Sequence, residues 1–287
     1  MTFSIVARDG DAFGVAVASK FLSVGALVPW ARPGAGAIAT QAYANISYGP
    51  RGLDLLADGC SAGRVVELLT GPDDERDQRQ LGVVDAEGNA ASFTGRECID
   101  WAGGTIGEGY SAQGNILASP AVVTAMAEVF ENTGGDLATR LIGALAAGDA
   151  AGGDKRGRQS AALLVVSPAG GYGGTTDVVA DLRVDDHRDP VRELARLLDI
   201  HRVLFTKPGP EDLVALDDAL RDEIAAALVT TGYASEGVDE TELAKSLERF
   251  AGWENLEERI VSWGSIDRHV LAALRDGASR SRRRQQR

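Results

Sequence analysis

The chain contains little cysteine and histidine, and each shortage excludes a class of site. Its 287 residues include two cysteines and three histidines. Cys60 and Cys98 are too few to form a disulfide framework, so we expect two small apolar side chains in the protein interior. His187, His201 and His269 lie far apart, and no pair has the spacing of zinc ligands. We therefore predict neither a metal site nor an organic cofactor.

Basic charge and long apolar segments are also scarce. The net charge of −13 argues against a general nucleic-acid binder, which needs a basic footprint. The sequence has no apolar run of about 20 residues and no charged segment followed by an apolar one at its start. We therefore predict no membrane span, no signal peptide and a cytoplasmic location. The segment 277–287 is the basic exception, and its composition predicts a disordered, solvated tail.

Strands and pairs of helices alternate in the first two thirds of the chain. Strands are predicted at residues 2–8, 13–19, 36–41, 80–85, 90–94, 160–166 and 178–184. Helix pairs are predicted at residues 50–57 and 62–70, and again at 120–131 and 136–147. The Gly-rich segment 103–114 is interpreted as a turn. Consecutive helix pairs disfavour a doubly wound parallel sheet and favour an α+β fold with two stacked sheets and helices outside.

The last third of the chain has the pattern of helices only. After a predicted helix at 191–204, residues 207–210 read Lys-Pro-Gly-Pro and resemble a linker. Further helices are predicted at 212–229, 239–250 and 266–275. We therefore predict a first domain at 1–206, a small all-α domain at 207–276 and the tail at 277–287.

Thr2 is a candidate nucleophile because a small residue in the second position favours removal of Met1. Thr2 would then carry a hydroxyl and a free α-amine on one residue. The ordinary pKa of such an amine is about 7.7–8.0, so part of it is a base at neutral pH. An N-terminal threonine that uses its own amine to activate its hydroxyl is a known route to covalent catalysis.

Four separated motifs resemble a bacterial family of unknown function that is similar to the N-terminal-nucleophile (Ntn) hydrolases. They lie at residues 2–9 with 14–21, 40–42 with 48–53, 111–117 and 154–162. The resemblance covers about residues 2–204 of the chain. It implies a four-layer αββα sandwich with the nucleophile at the start of a central strand and an amide as the typical target. It supplies no substrate, because fold alone does not determine function.

Lys20 and Asn115 join Thr2 as candidate catalytic residues. Ser19 and Lys20 end the second predicted strand, and in an antiparallel hairpin this end lies near the start of the first strand. A lysine beside the amine of Thr2 would favour the neutral, basic form of that amine. A solvated lysine at a strand end is the alternative, and the sequence does not decide between them.

Amide side chains are the candidate donors to an oxyanion. Gln113 and Asn115 belong to the predicted Gly-rich turn, while Gln41 and Asn45 follow a predicted strand. All four can donate hydrogen bonds to a developing negative charge, and we predict that Gln41, Asn45 and Gln113 contact substrate. Ordinary hydrogen bonding within turns is the alternative.

A basic loop precedes the predicted strand at 160–166. Arg156 or Arg158 could bind a substrate carboxylate with two parallel hydrogen bonds, and Gln159 leads from them into the core. A surface cluster of charges is the alternative. We include Ser19 and these three residues among the predicted substrate-binding positions.

The preferred function is an amidohydrolase acting on a small amide or peptide, with no nucleic acid or membrane as partner. One rival is a non-catalytic ligand-binding protein on the same scaffold. Another is peptidoglycan binding, because segments 247–259 and 266–274 resemble a small domain assigned to that role. Trp253 and Trp263 would favour binding if exposed, and a helical core if buried. Association of the chain with a second copy of itself also stays open.

Overall fold

The computed structural model describes residues 2–285 and divides into two compact units, Met1–Leu198 and Asp199–Arg287. The strands of the first unit are β1 (Thr2–Asp9), β2 (Ala12–Ser19), β3 (Pro29–Arg32), β4 (Gly36–Ala42), β5 (Arg79–Asp85), β6 (Ala90–Thr94), β7 (Gly103–Gly107), β8 (Tyr110–Asn115), β9 (Ser160–Val166) and β10 (Val178–Val184). Its helices are α1 (Tyr48–Ala57), α2 (Ala62–Thr70), α3 (Ala121–Asn132) and α4 (Leu137–Ala150), followed by α5 (Pro190–Phe205).

Two antiparallel sheets form the centre of the first unit. One has the strand order β10-β9-β2-β1-β8-β7, and the other has the order β3-β4-β5-β6. Side chains alternate across β1 because successive residues of a strand point to opposite faces. Phe3 and Ile5 join the core that contains residues of α3 and α4, whereas Val6 joins the core shared by both sheets. Residues of even number near the start of β1 therefore face the space between the sheets.

Helices cover the outer face of each sheet. Residues of α3 and α4 pack with the six-stranded sheet, and residues of α1 and α2 pack with the four-stranded sheet. A core of mostly valine and alanine side chains fills the space between the sheets. The first unit is thus a four-layer αββα sandwich, and the α+β fold class expected from the helix pairs is confirmed.

The second unit is helical, with one short two-stranded ladder. Its elements are β11 (Leu213–Ala215), α6 (Asp218–Thr231), α7 (Glu240–Trp253), β12 (Ser265–Asp267) and α8 (Arg268–Gln285). Ile224, Leu247 and Phe250 belong to its core. Within residues 2–285 no helix has the length and apolar character needed to cross a bilayer.

The structure differs from the sequence-based expectations at several places, and in the second unit residues 213–215 form β11 where the start of a helix was expected. The segment expected as a Gly-rich turn forms β7 and β8, so Gln113 and Asn115 lie on a strand. Strand β3 was not expected. Helix α8 continues to Gln285, where the composition predicts a disordered tail. Arginine is a good helix former, and Arg280 pairs with Asp276 one turn earlier at 3.1 Å.

The two cysteines are less buried than expected, and the compact units divide at a different residue from the predicted domain boundary. Cys60 and Cys98 are free thiols and only partly buried. Helix α5 places Leu194 and Leu198 in the core of the first unit, while Val203 packs in that of the second. A boundary at residues 206 and 207 therefore stays a prediction, since the compact units divide inside this helix.

Candidate functional site

Thr2 begins the central strand β1, with β2 on one side and β8 on the other. Only 5% of the residue is exposed, and it lies opposite Asn115 in the register with β8. Its Oγ1 is 3.1 Å from the Oγ of Ser19, the last residue of β2. The two hydroxyls therefore meet at one end of the six-stranded sheet, as the antiparallel hairpin of β1 and β2 requires.

A layer of buried amide and hydroxyl groups lies between the two sheets, next to Thr2. Gln41 is its first member and is 1% exposed. Its Nε2 donates to the Oε1 of Gln80 at 2.8 Å and, at 3.4 Å each, to the carbonyls of Thr2 and Gln113. Its Oε1 accepts from the hydroxyl of Ser4 at 2.7 Å. One glutamine thus joins β4 to β5 and to two strands of the other sheet.

Gln113 and Gln80 complete this polar layer. The Nε2 of Gln113 donates to the Oγ and carbonyl of Ser4 at 2.7 and 3.2 Å, and its Oε1 accepts from Ser111 at 2.7 Å. The Oε1 of Gln80 also accepts from the Nδ2 of Asn115 at 2.9 Å. Because these groups bond one another, desolvation costs them little and their positions are well determined.

Three members of the layer were not predicted as site residues. Gln80, Ser4 and Ser111 are each fully buried on a strand, and the two serines stand between apolar or aromatic neighbours. A polar residue within a strand that is predicted to be buried can be recognised in the sequence. Such a residue indicates a polar layer between sheets, but it does not identify the partners.

Gly82 leaves the space that Gln113 occupies. A Cβ placed on Gly82 would lie 2.2 Å from the Oε1 of Gln113, which is far inside van der Waals contact. The glycine in β5 is therefore explained by the amide opposite it. The two sheets approach closely here, and the polar layer is packed as tightly as an apolar core.

A pocket of about 330 Å³ opens at Thr2. Thr2 and Gln41 form its polar part. The remaining lining is largely apolar and includes Phe21, Val24, Leu27, Val28, Tyr43 and Ile46. Large parts of Phe21 and Tyr43 are exposed, 50% and 68% respectively, so the pocket is open to solvent at its mouth. Its size and composition are typical of sites for small molecules.

An ion pair under the segment 43–46 supports this pocket. Arg79 donates from its Nε to the Oδ2 of Asp73 at 3.1 Å and from its Nη1 to the carbonyl of Tyr43. Asp73 also accepts from the hydroxyl of Tyr48 at 2.6 Å and from the Nδ2 of Asn45 at 3.3 Å. Burial raises the pKa of Asp73, but the hydrogen bonds from Tyr48 and Arg79 outweigh it and lower the pKa overall. Asn45 therefore holds the pocket segment rather than pointing at Thr2.

Two residues beside the site have left-handed backbone conformations. Ala42 follows Gln41 with φ 69°, and Ile116 follows Asn115 with φ 51°. This conformation costs a residue with a Cβ about 1–2 kcal/mol, and a β-branched residue adopts it rarely. Such conformations often occur at functional sites, where the surrounding structure enforces them. Both lie next to amides of the polar layer.

Lys20 and the basic loop have contacts with acidic residues of this chain. Lys20 is exposed, and the bond it makes through its backbone N–H goes to Asp154 at 2.9 Å. Arg156 also binds Asp154, at 3.2 Å through Nε and 2.9 Å through Nη2, so its fork holds a carboxylate of this chain. Arg158 pairs with Asp149 at 2.7 Å.

Gln159 lies in the same loop and donates from its Nε2 to Asp186 at 3.2 Å. Arg158 lines a separate pocket of about 490 Å³, which Ser19 also reaches. The structure thus brings Thr2, Ser19, Gln41, Gln113 and Asn115 together. A site role for Lys20, Asn45, Arg156, Arg158 and Gln159 stays a prediction.

Another group of side chains, in the second unit, has the geometry of metal ligands. Ligand atoms of Asp212, Asp267 and His269 lie within 4.8 Å of one another. The guanidinium of Arg259 already pairs with both carboxylates, at 2.5 and 2.8 Å. A fixed positive charge at this position opposes the binding of a cation.

Comparison with known proteins identifies both parts of the chain. Residues 2–194 match the model described as "Family of unknown function (DUF1028)". The chain belongs to this family. Residues 204–274 match the model described as "Putative peptidoglycan binding domain". Both resemblances drawn from the sequence motifs are confirmed, and the similarity to Ntn hydrolases stays a prediction.

A solved structure from the same DUF1028 family agrees with the fold. The crystal structure of protein SPO2555 from Silicibacter pomeroyi is 35% identical and has a TM-score of 0.65. The match covers 70% of this chain and 86% of that chain. No curated protein matches the chain.

Proposed function

We propose that the first unit is an amidohydrolase of the Ntn type, in which Thr2 is the nucleophile after removal of Met1. The observation that carries the proposal is the position of Thr2. It starts the central strand, its Oγ1 lies 3.1 Å from Ser19, and it lines an open pocket of about 330 Å³. A buried hydroxyl at a pocket, next to an α-amine released by processing, has the two groups that acyl transfer needs.

The chemistry proceeds in two steps. The hydroxyl of Thr2 attacks the amide carbon and gives its proton to the α-amine, which forms a tetrahedral oxyanion. This intermediate collapses, the C–N bond breaks, and the leaving amine takes the proton from the ammonium. A water molecule, deprotonated by the same amine, then attacks the acyl ester and restores Thr2.

The polar layer has a positioning role in this proposal. Gln41 bonds the carbonyl of Thr2, and Asn115 lies opposite Thr2 with its Nδ2 bonded to Gln80. Their amides are engaged with protein groups, so we assign them to holding β1 in place rather than to the oxyanion. Ser19 orients the hydroxyl of Thr2. We assign no step to Lys20, whose side chain is exposed.

Mass spectrometry and matched variants of Thr2 test this function. Intact mass of the purified protein should show loss of one methionine residue. A panel of primary amides should then be hydrolysed by the wild type and by Thr2→Ser, which keeps a hydroxyl, but not by Thr2→Ala. Equal hydrolysis by Thr2→Ala, or full retention of Met1 in the native host, would contradict the mechanism. The non-catalytic ligand-binding function would then be preferred.

A second candidate function concerns the second unit, which we propose binds peptidoglycan. Besides the family match, Trp253 is 76% exposed and lines a pocket of about 360 Å³ together with Arg280. An exposed tryptophan beside a guanidinium suits a ligand with sugar faces and carboxylates. This function requires export, so it opposes the cytoplasmic location expected from the sequence.

Co-sedimentation with purified cell-wall sacculi tests this second function. Trp253→Ala should reduce the bound fraction about tenfold, as loss of a central aromatic anchor does. Leu213→Ala is the matched control, because Leu213 is exposed in the same unit but does not line the pocket. Equal binding by wild type and Trp253→Ala would exclude this pocket.

A further inference from the structure

The walls of the Thr2 pocket carry information about the substrate. Of the ten described residues that line it, none has a carboxylate, an ammonium or a guanidinium. Val24 and Val28 are buried in the core between the sheets, and Leu27 is partly buried beside them. Apart from the α-amine of Thr2, which the mechanism uses as a neutral base, a charged group that entered this pocket would lose water without gaining a side chain of opposite charge.

A pocket with both polar and apolar lining, the mixed pocket, lies next to the apolar one. Its volume is about 280 Å³, it shares Ala42 and Tyr43 with the apolar pocket, and its lining includes Gln78, Glu97 and Asn115. Asn115 faces Thr2 across the register of β1 and β8. The two pockets therefore lie near the same strand end, and the mixed pocket has the carboxylate and amide side chains that the apolar pocket mostly lacks.

We infer that the substrate has an apolar, uncharged acyl group, which binds in the pocket of Phe21, Val24, Leu27, Val28, Tyr43 and Ile46. The inference rests on the proposed function, because it takes Thr2 as the atom to which the acyl group becomes attached. The acyl group stays on Thr2 in the ester and must occupy the pocket that Thr2 lines. The neighbouring mixed pocket then binds the departing amine.

Ile46 offers a direct way to change this specificity. It lines the pocket and is 37% exposed, so a longer polar residue can be accommodated without disturbing the core. Ile46→Arg places a positive charge at the mouth and should favour an anionic acyl group. Ile106→Arg is the matched control, since Ile106 is exposed on β7 and does not line the pocket.

Primary amides isolate the acyl group, because all of them release ammonia. Hexanamide and phenylacetamide have apolar acyl groups, and succinamate has an anionic one. Wild type should hydrolyse the apolar amides at least about tenfold faster than succinamate, in terms of kcat/KM. Ile46→Arg should reduce or invert this ratio, and Ile106→Arg should leave it unchanged. Faster hydrolysis of succinamate by the wild type would overturn the inference and leave the proposed function intact.

Binding separates failure of the inference from failure of the proposed function. Thr2→Ala should bind phenylacetamide more tightly than succinamate in ligand-observed NMR, and adding Ile46→Arg should reverse this order. If no amide is hydrolysed but this order is found, the pocket assignment stands and catalysis fails. If Thr2→Ala shows no preference, or prefers succinamate, the pocket assignment fails whatever the turnover.

Discussion

Gly82→Ala should damage the polar layer through one methyl group. The added Cβ would lie 2.2 Å from the Oε1 and 2.7 Å from the Nε2 of Gln113, so the amide must move. Gln113 would then lose its bonds to Ser4 and Ser111, three in all. At about 0.5–1.5 kcal/mol each, this loss lowers the free energy of unfolding by about 1.5–4.5 kcal/mol. For a unit of this size, the melting temperature falls by about 2–4 °C per kcal/mol.

A double-mutant cycle tests whether Gln113 is the reason for the cost. Thermal and urea unfolding of full-length protein would compare Gly82→Ala, Gln113→Ala and the double variant. Because Gln113→Ala removes the amide that clashes, the two costs should fall short of additivity by about 1–3 kcal/mol. Gly63→Ala is the control, since no atom lies within 4 Å of its Cβ position and alanine favours helix α2 by up to about 1 kcal/mol. Additive costs, or a cost for Gly82→Ala no larger than that for Gly63→Ala, would refute the reasoning.

Three further predictions concern other parts of the chain. Asp73→Asn should destabilise the first unit at pH 7. Because the pKa of Asp73 is lower in the folded than in the unfolded protein, the contribution of its carboxylate to the free energy of unfolding is present above pH 4 and is lost as pH falls. The difference between wild type and variant in urea unfolding should therefore be about 1 kcal/mol smaller at pH 3 than at pH 7. Arg259→Met removes the arginine partner of the buried carboxylate of Asp267 and one of two arginine partners of Asp212, so it should cost about 3–5 kcal/mol in unfolding of the second unit, and Arg259→Lys should not restore the loss. Gly49→Ala should cost about 1–3 kcal/mol in thermal unfolding, because its Cβ would lie 2.2 Å from the ring of Trp30.

Local patterns predicted most of the layers of the sandwich. The β-rich composition of residues 2–8 and the small, apolar residues of 13–19 predicted the hairpin of β1 and β2, and the consecutive helix pairs predicted the two outer layers. Strands β7 and β8 were not predicted, because glycine is depleted in strands and is typical of turns. Gly107 is needed because a Cβ there would lie 2.1 Å from the ring of Tyr110. A tertiary contact therefore outweighs the local preference.

The candidate site was predictable only where sequence neighbours are also neighbours in space. The contact of Thr2 with Ser19 follows from the hairpin, since antiparallel pairing brings these ends together. Gln41 and Gln80 meet across a sheet, and their bonds to β1 and β8 depend on how two sheets stack. Nothing local encodes that stacking. In the basic loop Arg156 bonds Asp154, two residues away, and its contact with substrate stays a prediction.

The polar layer is better explained by a need for fixed geometry than by stability. Apolar side chains of similar size in place of Gln41, Gln80 and Gln113 would bury the same space without desolvating amides, and such replacements are often neutral or stabilising. Glutamines bonded across both sheets instead fix the height and direction of β1, whose first residue is Thr2. A nucleophile must stay near its target geometry to within about 0.5 Å, which a strand end held only by its neighbours does not ensure.

Changing the polar layer should therefore have different effects if Thr2 only helps to bind a ligand and if Thr2 is a catalytic nucleophile. Gln80→Leu with Gln113→Leu, at two positions that do not line the pocket, should leave amide binding to Thr2→Ala nearly unchanged. In the chain with Thr2 intact, the same pair should lower kcat more than it raises KM. Equal effects on kcat and on binding would show that the layer only shapes the pocket.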